Sequence, residues 1–273
     1  MDELKNLLEE RPGRYSLYFE NLLNGNTWGH GEDEIHLAAS TIKVPILCAL
    51  YVKGAEGLDL SERVDIPRGA LVGGSGILDQ LSAGFRPSLE DLALLMTVLS
   101  DNTATNLLAE VLGIGAVQSF ISSMGMERTQ FQRKMMDEEA RSRGLENTTT
   151  ARDMGRLLRA LALGKVHSSG LSQRVVDLLL RQQSVGKLPH LIPSVAFDEV
   201  KELHEVPRGQ VAVAHKSGEL EESEHDVGIF YTHLGPSYTL SVFSSELPHR
   251  LAGRRTVAEA SRLVYYGFLR GLL

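Results

Sequence analysis

The segments of this chain that are typical of β-strands lie near its two ends and enclose a long helical middle. Near the N-terminal end, Arg14 to Asn21 and Thr27 to Gly29 read as strands joined by the hairpin turn Asn24-Gly25-Asn26. Three more strands are predicted late in the chain, over 211–215, 227–232 and 238–243. Because sequential hairpins pair antiparallel, this order predicts one antiparallel sheet built from both termini.

Amphipathic periodicity predicts the helices between and around these strands. They are expected over 2–10, from Ala39 onward, from 89 after the N-cap Ser88, and over 102–112, 150–163, 171–182 and 256–272. The predicted fold class is therefore α+β, an antiparallel sheet flanked by helices with an all-helical domain inserted. The expected domains are 1–37 plus 200–273 for the sheet part and 38–199 for the helical part.

Composition narrows the function classes. The 273 residues are 42% hydrophobic, enough for a full core, and the net charge of −7 argues against a nucleic-acid-binding surface. A single cysteine, Cys48, cannot form an intrachain disulfide and is expected to be buried. The first residues lack the basic and apolar regions of an export signal, and no apolar stretch reaches spanning length, so a cytoplasmic location is expected. An export signal removed beforehand would leave the same sequence.

The pair Ser40 and Lys43 carries the chemistry. Residues three apart lie on one helix face, so the Lys43 amine can reach the Ser40 hydroxyl. A serine is a poor nucleophile until a base takes its proton, and a lysine is such a base only when burial or nearby positive charge lowers its pKa. The S-x-x-K spacing alone is common by chance.

Two further motifs follow in order, Ser100-Asp101-Asn102 and Lys216-Ser217-Gly218. With these three motifs and with the segment 147–154, the chain resembles the penicillin-recognising serine hydrolases, nearest the class A β-lactamases. Taken singly, the motifs also fit an exposed helix face, a helix cap and a turn. The resemblance covers nearly the whole chain and implies the same sheet-and-helix arrangement, with the active site in the cleft between the two parts.

The resemblance implies a role for each catalytic side chain. Ser40 attacks a carbonyl carbon and Lys43 accepts its proton. Ser100 relays a proton toward the leaving nitrogen. Lys216 supplies fixed positive charge, which favours a neutral Lys43 and attracts a substrate carboxylate.

The same resemblance implies the substrate-binding groups. Asn102 is expected to hold the amide of the substrate side chain, and Ser217 to hydrogen-bond the substrate carboxylate. Gly218 leaves room for the substrate beside its strand. The backbone N–H groups of Ser40 and Glu219 are expected to form the oxyanion hole.

The chain departs from the family where class A β-lactamases carry the glutamate that activates the deacylating water. The usual E-x-x-[LF]-N context is absent between Phe131 and Asn147. Among the carboxylates there, Asp137 is the best candidate for a substitute base, because Met135 and Met136 suggest that this end faces inward. Ordinary surface acids in a loop are an equal alternative.

Charged residues near the last motif leave further alternatives open. The acidic run comprises Glu219, Glu221, Glu222 and Glu224. It reads either as a solvated hairpin or as selection against anionic substrates. Val227 stands where many β-lactamases place an arginine, which weakens the case for tight binding of a penicillin carboxylate. His225-Asp226 is either a hydrogen-bonded structural pair or a feature of the substrate cleft, and the structural interpretation is favoured.

The function expected from all of this is a serine hydrolase that acts through an acyl-enzyme on an amide, lactam or ester, with β-lactam hydrolysis as its nearest form. The alternatives are a penicillin-sensor-type protein that is acylated and deacylates slowly, and a D-alanyl-D-alanine peptidase or esterase. No cofactor or metal is expected. The expected partner is a small-molecule substrate, without nucleic acid or membrane, and the protein is expected to be a monomer.

Overall fold

One five-stranded antiparallel sheet organises the computed structural model, which describes residues 2–82, 84–193 and 206–273. The strands of the described chain are β1 (Arg14–Asn21), β2 (Thr27–His30), β3 (His36–Leu37), β4 (Thr148–Thr149), β5 (Ala212–Leu220), β6 (Ser223–Thr232) and β7 (Gly235–Ser245). The large sheet has the order β2-β1-β7-β6-β5, and β3 and β4 form a separate pair. The N-terminal strand β1 therefore pairs with the late strand β7, as the sequence predicts.

Helices cover both faces of the sheet. Those of the described chain are α1 (Asp2–Glu10), α2 (Lys43–Ala55), α3 (Leu89–Val98), α4 (Asn102–Leu112), α5 (Ile114–Ser123), α6 (Glu138–Ser142), α7 (Ala151–Ala162), α8 (Ser169–Leu180) and α9 (Arg250–Leu269). The predicted start of α3 is confirmed, because Ser88 accepts a hydrogen bond from Asp91 N at 3.0 Å and its own N–H donates to the Asp91 carboxylate at 2.9 Å.

The core lies in two layers on either side of the sheet. Alternating residues of β1 face opposite layers, so Leu17 and Phe19 pack in the layer with α1 and α9, whereas Tyr18 packs in the layer with the helical middle. Helix α2 runs through that second layer, and its residues 43–51 are all buried. The start of α2, which carries Lys43, is therefore fixed by packing on all sides.

The predicted fold class is confirmed. Helices α1 and α4 and strand β1 have the predicted bounds, but the late strands extend further than predicted. The turn considered for Lys216-Ser217-Gly218 is wrong, since all three residues lie inside β5. The division into 1–37 plus 200–273 and 38–199 stays a prediction, and its second boundary falls on residues that lie outside the described ones.

Within the described ranges, no single helix is long and apolar enough to cross a membrane. Only α4 and α5 taken together reach that length and composition, and they are bent by 86° where they meet.

Candidate active site

Ser40 lies on a short 3₁₀ turn, Ala39–Ile42, that runs directly into α2. Ala39 begins this turn with a φ of 46°, in the left-handed region that residues with a side chain rarely adopt. Lys43 is the first residue of α2, and its Nζ lies 3.1 Å from Ser40 Oγ. The spacing of three residues thus puts the amine and the hydroxyl on one face.

The Lys43 amine is buried and fully enclosed by polar partners. Lys43 is only 1% exposed. Its Nζ donates to the Ser100 carbonyl at 2.6 Å and to Asn102 Oδ1 at 2.8 Å. Burial is the largest influence lowering the pKa of Lys43 well below its ordinary value, the charge of Lys216 lowers it further, and Asp101 opposes both. Burial and the Lys216 charge therefore favour the neutral form of the Lys43 amine.

A neutral amine has two N–H groups and one lone pair. The Ser100 carbonyl and Asn102 Oδ1 can only accept, so they take both N–H groups of Lys43. The lone pair is then free for a hydroxyl proton, and Ser40 Oγ at 3.1 Å is one of the two hydroxyls within reach. The arrangement can withdraw the proton from Ser40, which is what an attack by its oxygen requires.

Lys216 brings a second amine to the same place from β5. It is 1% exposed, and its Nζ donates to Ser100 Oγ at 3.1 Å and to the Ser217 carbonyl at 2.9 Å. Burial lowers the pKa of Lys216 to about 7, against the opposing effect of Asp226. Ser100 Oγ lies 3.1 Å from each of the two lysine amines, so it can carry a proton between them.

A strained backbone and a buried carboxylate position Ser100. Its φ of 58° lies in the left-handed region, which costs about 1–3 kcal/mol for a residue with a side chain. That conformation directs both its carbonyl and its hydroxyl at Lys43. The neighbouring Asp101 caps α4 at Ala104 N (2.8 Å) and also accepts from the N–H groups of Ile77 (2.7 Å) and Leu78 (2.9 Å).

Asn102 joins Lys43 to the glycine-rich loop Gly73-Gly74-Ser75-Gly76. Its Oδ1 accepts from Lys43, its Nδ2 donates to the Gly73 carbonyl at 3.0 Å, and its backbone N–H donates to the Ser75 carbonyl at 2.9 Å. Its role toward a substrate amide stays a prediction, because in this structure both ends of the side-chain amide are engaged within the protein.

Gly218 allows β5 to lie directly against the Ser40 turn. A Cβ at this position would be 3.1 Å from Ala39 Cβ, 3.1 Å from Thr41 Cγ2 and 3.2 Å from Ser40 N. The backbone of β5 therefore runs past the Ser40 N–H at close range. Ser217 and Glu219 flank Gly218 on the strand, and the oxyanion role of the Glu219 N–H stays a prediction.

The loop that was expected to supply a deacylating base is held to α4 through its backbone. Asn106 holds this loop by accepting from Met135 N at 2.7 Å and donating to Met135 O at 2.9 Å. Asp137 instead caps α6, where its Oδ1 accepts from Ala140 N at 2.9 Å. Among the residues that the structure describes, no carboxylate hydrogen-bonds to Ser40, Lys43 or Ser100, and Asp137 is not joined to their network.

The acidic run after Gly218 is only partly a solvated hairpin. Glu221 and Glu222 are exposed, but Glu224 is completely buried. It belongs to what we call the Glu224 cluster, whose members are Lys187, Glu219, Glu224, Arg250 and Arg254. Sequence reasoning missed Lys187, Arg250 and Arg254, because their partners lie far away in the chain and no local motif marks them.

His225 and Asp226 both make hydrogen bonds within the fold, as the structural interpretation expects, but their side chains do not bond to each other. Adjacent residues of a strand point to opposite faces, so the two side chains have different partners. Asp226 hydrogen-bonds to His215 Nδ1 at 2.9 Å. His225 accepts from Ser244 N at 3.2 Å and therefore donates through Nε2 to the Leu37 carbonyl at 2.9 Å. Burial first, and then the neighbouring His36, lowers the pKa of His225 to about 3, so it is a neutral structural residue.

Comparisons with known proteins agree with this fold. Residues 1–268 match the family described as the β-lactamase enzyme family. A β-lactamase of Rhodobacter capsulatus is 33% identical over 185 residues, which cover 66% of this chain and 63% of that protein, so the match spans less than two thirds of that relative.

Two solved structures cover nearly the whole chain. The β-lactamase of Sphaerobacter thermophilus DSM 20745 has a TM-score of 0.86 and 28% identity, covering 100% of this chain and 96% of that one. A single-site mutant of PBP-A, solved as an acyl-enzyme complex with penicillin G, has a TM-score of 0.84 and 26% identity, covering 98% and 96%.

The antiparallel sheet backed by helices, together with these matches, places the chain among the class A β-lactamase-like proteins. The chain belongs to the β-lactamase enzyme family.

Proposed function

We propose that this protein is a serine hydrolase that takes an acyl group onto Ser40 from an amide, lactam or ester, and that β-lactams are such substrates. One observation carries the proposal: the buried amine of Lys43 contacts Ser40 Oγ at 3.1 Å while both of its N–H groups are engaged by other acceptors. Its lowered pKa favours the neutral form, which can accept a proton.

The proposed reaction has two halves. Ser40 Oγ attacks the carbonyl carbon, and its proton goes to Lys43 Nζ. As the ester to Ser40 forms, the C–N bond breaks, and the proton reaches the leaving nitrogen through Ser100 Oγ, which lies 3.1 Å from both amines. A water molecule then cleaves the ester and regenerates the Ser40 hydroxyl.

The test is turnover of a chromogenic cephalosporin together with acylation by benzylpenicillin, read by intact-mass spectrometry. Ser40→Ala is expected to abolish both. Lys43→Ala is expected to slow acylation by about 10²–10⁴-fold, the usual contribution of a positioned base. Ser119→Ala, which removes an exposed hydroxyl on α5, is the matched control and should leave both unchanged. Adduct formation that survives Ser40→Ala would end the proposal.

A second candidate function, an acyl-binding protein that releases its acyl group slowly, is favoured by the loop geometry. Asn106 holds this loop to α4 at Met135, and the nearby Asp137 carboxylate is engaged in capping α6. PBP-A, a protein similar to this chain, was captured in mutant form with penicillin G bound as an acyl-enzyme.

A time course of the adduct separates the two functions. A mass increase of one benzylpenicillin that persists for hours supports slow release, whereas turnover without a lasting adduct supports the efficient hydrolase. Asp137→Ala tests the remaining base candidate, because loss of release with acylation retained would assign the base to Asp137. Unchanged release would exclude it.

A further inference from the structure

The Glu224 cluster lies directly beyond the last motif of the site. Glu224 is 0% exposed, and its carboxylate contacts Lys187 Nζ at 2.6 Å, Arg250 Nε at 2.7 Å and Arg254 Nε at 3.0 Å. Glu219 contacts the same three cations. Its carboxylate lies 3.3 Å from Lys187 Nζ and 3.6 Å from Arg254 Nη2, and it contacts Arg250 directly. The carboxylates of Glu219 and Glu224 therefore form ion pairs with all three cations of the cluster.

This cluster is attached to the backbone that borders Ser40. Lys187 Nζ donates to the Gly218 carbonyl at 3.0 Å, and Glu219 is the residue after Gly218. Ser217 and Glu219 lie two residues apart on the same face of β5, which separates them by about 6.6 Å at the usual rise per residue. An anionic group hydrogen-bonded to the Ser217 hydroxyl would thus lie near the Glu219 carboxylate.

Glu219 works against an anion at Ser217. The cluster has three cations and two carboxylates, so it retains one net positive charge, and Glu219 cancels a further positive charge that would otherwise attract the anion. Glu219 keeps its negative charge at neutral pH: burial opposes ionisation, but Lys187 and Arg250 leave the pKa of Glu219 below its ordinary value. Lys216 is the remaining nearby cation among the residues that the structure describes here, and its Nζ already faces Ser100 and the Ser217 carbonyl.

We infer that Glu219 is a specificity-determining residue that weakens the binding of substrates with a carboxylate beside the scissile bond relative to their uncharged counterparts. The inference rests on the proposed function for the identity of the reacting site, but it concerns recognition. It can therefore be tested by binding, without turnover.

The experiment measures equilibrium binding of benzylpenicillin and of its methyl ester to the Ser40→Ala protein, by calorimetry at low salt. The methyl ester differs only in lacking the negative charge. With the strand spacing of about 6.6 Å taken as the distance between the two carboxylates, their repulsion is equivalent to roughly 3- to 70-fold in affinity across effective dielectric constants of 80 to 20. Adding Glu219→Gln is therefore expected to improve the affinity for benzylpenicillin relative to its methyl ester by about ten-fold.

Glu221→Gln is the matched control, since it removes the same charge from the same hairpin at an exposed position outside the cluster. It should change the affinity ratio less than two-fold. Urea unfolding of each variant, with Glu219→Ala as a second substitution, verifies that the fold is retained. Any of three results would overturn the inference. The affinity ratio of the two ligands could stay within two-fold in both Glu219 variants, it could shift equally in the Glu219 and Glu221 variants, or neither ligand could bind to any variant. Failure of the proposed function is recognised separately, as no acyl adduct on the protein that retains Ser40.

Discussion

Gly218→Ala is the most direct probe of how closely β5 must approach the nucleophile. The added Cβ would lie 3.1 Å from Ala39 Cβ and from Thr41 Cγ2 and 3.2 Å from Ser40 N, tighter than ordinary carbon contacts. Relief requires the strand and the Ser40 turn to separate by a few tenths of an ångström. Overpacking of this kind costs about 1–3 kcal/mol of stability, less than the roughly 5–15 kcal/mol that a domain has, so the variant folds.

The effect on chemistry follows from the same displacement. If a 1 Å misplacement costs about 10²-fold, a shift of about 0.3 Å costs roughly four-fold, so we expect the acylation rate to fall about three- to ten-fold. Stopped-flow acylation and urea unfolding measure the two quantities. Gly267→Ala is the control, because its Cβ meets only the Leu273 side chain, at 2.9 Å and 3.3 Å, far along the chain in α9. Acylation as fast in Gly218→Ala as in Gly267→Ala would refute the reasoning.

Three further predictions follow from the buried charges and the loop anchor. The pKa of Lys216 in the folded protein is about 7, below its ordinary value, so above pH 7 the unfolded chain still binds a proton that the folded protein has lost. The stability contributed by this group therefore rises from pH 7 to 9. Lys216→Met should reduce the slope of stability against pH by up to about 1.4 kcal/mol per pH unit in urea titrations, and an unchanged slope would contradict this prediction. Glu224→Gln should cost about 3 kcal/mol, since it leaves Lys187 short of its buried counter-ion, and a loss under 1 kcal/mol in urea unfolding would speak against this. Asn106→Leu removes both hydrogen bonds to Met135 and should cost about 1–3 kcal/mol per polar group left unpaired, with earlier proteolysis of the loop as the readout; protection equal to the parent would disprove it.

Much of the fold could be predicted from the sequence where local signals and burial agree. Helix α1 and strand β1 carry clean apolar periodicities and have the predicted bounds. Ser88 begins α3 as predicted because a cap is a short-range hydrogen bond between residues three apart. The strands β5 and β6 were predicted too short, since their charged residues resemble a solvent-facing hairpin when distant partners are ignored.

The site residues were likewise predictable where the signal is local or a motif marks them, and unpredictable where distant partners decide. Ser40 and Lys43 are three residues apart, so their contact follows from helix geometry, and the ordered motifs identify Ser100 and Lys216 by resemblance. Lys187 could not be found, because Gly218 and Glu224, which make it a buried ion-pair partner, lie tens of residues away along the chain. The direction of the Asp137 carboxylate was equally inaccessible, since it depends on whether a short helix follows.

The pairing of β1 with β7 sets a condition on how the protein acquires its shape. Arg14 and Ser245 are register partners although 231 residues separate them. Contacts between such distant segments form late, because a long loop must close before any of them is gained. During synthesis the helical middle is therefore made well before the strand that completes the sheet. A nascent chain released before β7 would lack the strand that joins β1 to β6, and its unpaired strand edges would expose it to aggregation.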